Sequence, residues 1–323
     1  MKIVIIIRNR AENIYKKFPR ICGYAGRLVF SLCCFFLLEA SCGYNALLSN
    51  AWTIIVLGIF CAFAPARFLM FIIMGYAVIQ IGSLSPGVGI VCAAILAAIY
   101  LIYFRFDTRY VYFIFLMPVF AMARLPLMLP LILAAVADAD ALIVVLLGNL
   151  IYYMIRYVST NAAVISGMVQ ESEYRKMMVA VNGIFTNTEF LYTLIILAVV
   201  FLLVYYMRKL NINQANNLAI TAGSGAYMIL SITANLLFGT VTAQRLVTIV
   251  AGALASGLLA AFIVYMLLPL DYTRVETFEF EDDEYNYYVR AVPKAIIKKE
   301  SVKVKKINSR KEIAPTKSRE NIK

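Results

Sequence analysis

The sequence predicts an all-α polytopic membrane bundle of eight to ten crossings, with short or re-entrant segments and a cytoplasmic tail. Three observations predict it. Hydrophobic residues fill 63% of 323 positions, mean hydropathy is +0.81, and charged residues make up only 15%, against roughly 25% in soluble domains. Ten apolar runs alternate with short polar or charged turns. Lys and Arg gather at both ends of the chain, which places both termini on the cytoplasmic side of a cell membrane and requires an even number of crossings.

The division is into a basic cytoplasmic segment (1–27), a transmembrane domain (28–270) with an extracytoplasmic loop at about 158–188, and a cytoplasmic tail (271–323) that is acidic, then basic, and largely extended or disordered. The formal charge of +12 points to anionic lipid headgroups rather than nucleic acid, because the basic ends flank spans and no nucleic-acid-binding motif accompanies them. Cys22, Cys33, Cys34, Cys42, Cys61 and Cys92 form no CxxC pair and read as packing. With no histidine in the chain, no metal or cofactor is expected.

Taken in order, Ile14, Tyr15 and Phe18 among Lys16, Lys17 and Arg20 suit a helix on the inner headgroups. Leu28–Gly43 and Ala51–Ala66 are the first two spans, and Arg67 anchors the second. Phe68–Gly82 and Val88–Phe104 follow, parted by the Pro86-Gly87 turn. Tyr110–Ala123 is short and aromatic. The pair inside Leu125–Ile155 is either two short spans or one re-entrant hairpin, and both choices keep the parity. Residues 159–188 mix Glu171, Glu173, Arg175 and Lys176 with small apolar residues and suit an outer surface helix and loop. Phe190–Met207, Leu218–Phe238 and Leu246–Leu268 complete the set.

A weak internal repeat runs through the first half. The pentapeptide Phe63 to Arg67 (FAPAR) recurs as Phe120 to Arg124 (FAMAR), each followed by an apolar hairpin ending in Arg-aromatic. Three segments lie between them, so a true repeat would be inverted, with Arg124 and Arg156 outside and Arg67 and Arg105 inside. Chance recurrence of alanine-rich helix ends explains the pattern as well.

The candidate ion or substrate site is Asp138, Asp140, Glu39 and Asn149. Carboxylates inside an apolar chain are costly and commonly functional. For Asp138 and Asp140 the competing reading is a helix cap at the cytoplasmic surface. Glu39 either pairs with Gln80, Asn149 or Asn235 or lies near the outer interface. Side-chain amides such as Asn149, Asn235, Gln80 and Gln244 also serve as helix–helix ties, and Gly223, Gly225, Gly252 and Gly257 as close-packing points.

The tail changes sign within about twenty residues, with seven acids up to Glu284 and a basic stretch after it. Alternation at Phe278 and Phe280, and at Val302 and Val304, suits extended segments that add to a partner's sheet edge. Phe280, Tyr285, Tyr287 and Tyr288 are the candidate partner-binding residues. The tail from Phe280 to Lys294 (FEDDEYNYYVRAVPK), together with Arg124 to Pro130, resembles a group of uncharacterised multi-pass membrane proteins of Gram-positive bacteria. That resemblance implies a bacterial inner-membrane location and brings no substrate, cofactor or catalytic residue.

Two functions follow as expectations: a transporter-like or permease-like component, or a membrane anchor or scaffold that recruits a cytoplasmic protein for the cell envelope. No residues pair a nucleophile with a base, so no enzymatic activity is expected. No Walker motif is present, so ATP-driven transport would need a separate ATPase subunit.

Overall fold

In a computed structural model, described for residues 10, 13–106, 110–168, 171–210, 214–239 and 242–267 and the strands at 276–281 and 286–291, the chain is a helical bundle. The helices are α1 (Pro19–Cys42), α2 (Ala51–Phe63), α3 (Ala66–Leu84), α4 (Pro86–Phe106), α5 (Val111–Met122), α6 (Met128–Val136), α7 (Ala141–Gly167), α8 (Glu173–Phe185), α9 (Thr188–Met207), α10 (Ala215–Leu237) and α11 (Ala243–Leu267). Six of them are long and apolar enough to cross a membrane: α1, α3, α7, α9, α10 and α11. The apolar helices α2, α4 and α5 are shorter by the same measure. The chain is therefore a multi-pass α-helical membrane protein.

Two sets of helices meet on the long helix α7. On one side α1, α2, α3 and α4 pack in sequence. On the other, α9, α10 and α11 wrap the short α6, whose nine residues are nearly all buried. Small residues set the closest approaches. A Cβ on Gly148 of α7 would lie 2.5 Å from Met117 of α5, and one on Gly223 of α10 would lie 2.4 Å from Val204 of α9. Gly223, Gly252 and Gly257 thus act as close-packing points, whereas Gly225 faces open space.

The bundle has two distinguishable ends. At one, Arg27 donates to the Ala64 carbonyl (3.1 Å) and Arg208 to the Ala137 carbonyl. At the other, Ser41 meets Met122 (3.3 Å) and Cys42 meets the Ile155 carbonyl (3.9 Å). The first is called the Arg208 end below.

Several elements differ from the sequence expectation. Helix α1 begins at Pro19, nine residues before Leu28, with proline inside its first turn, where its missing N–H costs nothing. Helix α7 continues past Ile155 to Gly167, because Tyr157 docks it onto α8: its hydroxyl donates to the Val179 carbonyl (3.1 Å) and its ring fills the space left by Gly183. The surface helix expected within 159–188 is α8, capped by Ser172 and laced by Glu171–Arg175 and Glu173–Lys176 pairs. One oxygen of Glu173 also accepts from Gly87 N–H (2.8 Å) and Ser85 (3.0 Å), which satisfies the start of α4 and pins α8 to it.

In the tail, β1 (Glu276–Glu281) and β2 (Asn286–Ala291) form an antiparallel hairpin, with Phe278 opposite Val289 and Phe280 opposite Tyr287. The first expected extended segment is thus a strand paired within the chain. Tyr285 and the second expected segment, Val302 to Val304, lie outside the described residues.

Candidate functional site

At the end opposite Arg208, a cavity of about 640 Å³ opens between the α5–α6 link, α7, α9, α10 and α11. Arg124 from the link, Arg156 from α7 and Arg245 from α11 all line it. One carboxylate answers them. Glu189, at the start of α9, pairs with Arg156 through one oxygen (3.2 Å) and with Arg245 through the other, while Arg245 also reaches the Tyr192 hydroxyl (3.2 Å). Arg124 has no side-chain partner among the described residues, so the cavity carries a surplus of positive charge.

The backbone shows how Arg124 is held. Leu125 N–H bonds to the Phe120 carbonyl (2.8 Å) and Arg124 N–H to the Ala121 carbonyl (3.2 Å), the double closure of a Schellman helix end. That motif puts Arg124 at φ 62°, a position glycine usually takes, at a cost of roughly 1 kcal/mol for a residue with a Cβ. Its carbonyl packs onto Gly252 of α11, where a Cβ would come within 2.8 Å. Arginine at this position carries a backbone cost that glycine would not.

Below the arginines the lining becomes neutral. Asn149 lies seven residues before Arg156 on α7, about 10 Å of helix rise. It is 3% exposed, and its Nδ2 has no hydrogen-bond partner. An unmet buried amide costs about 1–3 kcal/mol, so a polar group entering the cavity has a donor waiting. Tyr227, Ser231 and Asn235 of α10 also line the cavity, as do the aromatic rings of Tyr152, Tyr153 and Tyr192.

Of the four residues read from sequence as a site, only Asn149 lines the cavity. Asp138 and Asp140 are exposed in the α6–α7 turn at the Arg208 end. Asp140 holds the N-cap position of α7, but its backbone is already helical (φ −61°, ψ −25°) and its side chain makes no cap bond. Caps of that kind need a more extended backbone, so Asp140 does not cap α7 through its carboxylate. Glu39 belongs to a separate network in which one oxygen accepts from Tyr76 (3.0 Å) and Gln80 (2.9 Å), while Gln80 in turn accepts from Asn45 N–H (2.9 Å). Gln80 was among its expected partners, and the network ties α1 to α3.

Glu189 and Arg245 were not singled out in the sequence. Their only signal is position, one charge at the very start of each of two long apolar runs. Compared with family models, curated proteins and solved structures, the chain matches none of them.

Proposed function

We propose that the protein is a transporter-like or permease-like membrane component whose cavity takes an anionic substrate. The observation that carries this reading is the convergence of Arg124, Arg156 and Arg245 from three separate elements on one cavity, with Glu189 as their only carboxylate among the described residues. Guanidinium forks suit multi-oxygen anions, and a low-dielectric wall strengthens their attraction. Arg124 and Pro126 of the link between α5, with its internal Pro118, and the short α6 line the cavity, as the breaks between transporter half-helices line their binding sites.

This reading puts both termini in the cytoplasm and has the cavity face outward. Lys16, Lys17, Arg20, Arg27, Arg67, Arg208 and Lys209 support this orientation by the positive-inside rule. From Asp140 to Arg156 the helix rises about 24 Å, so the arginines lie within the outer part of a hydrocarbon core about 30 Å thick.

The test is anion uptake into proteoliposomes, or anion-induced thermal stabilisation in nanodiscs. Arg156→Gln combined with Arg245→Gln is expected to abolish the signal, and Asp138→Asn, Asp140→Asn and Glu39→Gln to leave it. The opposite pattern would overturn the proposal and restore the carboxylate reading.

The tail hairpin favours a second, compatible role. Among the described residues the two strands pair only with each other, leaving two edges onto which a cytoplasmic protein can add a strand next to Phe280, Tyr287 or Tyr288. Truncation after Arg274 tests it: full retention of function and of bound partners removes the idea.

A further inference from the structure

We infer that the cavity recognises a phosphoryl group attached to a hydroxyl-rich body, a phosphate or pyrophosphate ester of a sugar or polyol, either free or carried on a lipid. This rests on the anionic-substrate reading above and narrows it. Three features of the cavity select that chemistry.

The first is the number and origin of the arginines. Arg156 and Arg245 already hold the two oxygens of Glu189 separately, one guanidinium to each, and Arg124 stands ready on a third wall. A carboxylate offers two coplanar oxygens, which two arginines satisfy. A phosphoryl group offers three non-bridging oxygens in a tetrahedral array and more charge, so a third arginine from another direction has something to bind.

The second is Glu189 itself. It occupies the two arginines that an incoming anion needs, so it is a resident competitor. A weak anion cannot displace it, whereas a more highly charged one engages Arg124 first and then exchanges with the carboxylate.

The third is the floor. About 10 Å below Arg156, the unpartnered Nδ2 of Asn149 presents a neutral donor rather than charge, and Ser231 and Tyr227 of α10 add further neutral hydrogen-bonding groups to the lining. A bare phosphate ion would leave this floor unused. A volume of 640 Å³ has room for a body beneath the charged group. Neutral donors and acceptors there, beside tyrosine faces, match hydroxyl groups on a ring better than an alkyl chain.

The experiment uses the full chain in phosphatidylcholine nanodiscs, with calorimetric titration of glucose 1-phosphate, inorganic phosphate, glucose and succinate at constant ionic strength. Glucose 1-phosphate is expected to bind tightest. Arg124→Gln, which breaks no pairing in the free protein, is expected to weaken it about tenfold or more, the loss typical of one charge-assisted contact. Asn149→Ala is expected to weaken glucose 1-phosphate but not inorganic phosphate, and Glu189→Gln to tighten both. Gly225→Ala, in open space, serves as the folding and binding control.

A second set of nanodiscs containing phosphatidylinositol 4-phosphate, whose 4-phosphate is a monoester on a polyol, separates the two sources. Loss of glucose 1-phosphate binding there supports a lipid-borne phosphoryl polyol, and unchanged binding supports a free one. If succinate binds as tightly as glucose 1-phosphate with the same dependence on Arg124, the phosphoryl inference fails while the anionic cavity stands. If no anion binds in any arm, both fail.

Discussion

Arg124 is the residue at which local stability and site chemistry are most clearly opposed. Its left-handed backbone closes the α5 helix end in a conformation that glycine adopts without a Cβ clash. Arg124→Gly is therefore expected to hold or raise stability in nanodiscs, by up to about 1 kcal/mol, while weakening anion binding about tenfold or more. A residue kept only for structure would show the reverse. Glu39 is the contrasting case. Glu39→Leu removes the acceptor for two donors, one of them on fully buried Gln80, and is expected to destabilise the protein by about 1–3 kcal/mol without affecting anion binding. Thermal unfolding and titration on the same samples separate these effects.

At the scale of elements, α8 tests how a surface helix is fastened. Gly183 admits the Tyr157 ring so closely that any Cβ there would lie 2.1 Å from a ring carbon. Gly183→Leu is expected to lift α8 from α7, cost about 1–3 kcal/mol and speed hydrogen exchange across 173–185. The other fastening depends on pH. Lys176, and then the Gly87 N–H, hold the Glu173 carboxyl below its ordinary value of 4.5. Its contribution is therefore complete above the unfolded value and is lost as pH falls through the lower folded one. Exchange across α8, corrected for intrinsic rates, should rise on acidification below about pH 4.5 in the wild type. In Glu173→Gln it should already be raised at pH 7 and change less with acid.

For the whole molecule, the two ends predict opposite accessibilities. In a background without the six native cysteines, Cys at 138 or 140 should react with impermeant reagents only from the side on which the proposed orientation puts the termini. Cys at 171 or 175 should react only from the other side. Labelling of both sets from one side would refute the topology and the outward-facing cavity together.

What the sequence determined by itself was the solvent and the element list. Long apolar runs and basic ends require a bilayer and helices, because each such helix meets its own backbone hydrogen bonds locally and needs no distant partner. Helix α8 was legible for the same reason, since its caps and charge pairs are local. The site was not. Asp138, Asp140 and Glu39 drew attention because a charge stands out against an apolar run, yet two lie exposed in a turn and the third ties α1 to α3. Arg124, Arg156, Glu189 and Arg245 come from four places spread over some 120 residues and look in sequence like ordinary helix-end charges. Only the tertiary packing of α6 within α9, α10 and α11, against α7, brings them to one cavity. Their meeting depends on close approaches at Gly148, Gly223 and Gly252, contacts between distant segments that no local pattern encodes.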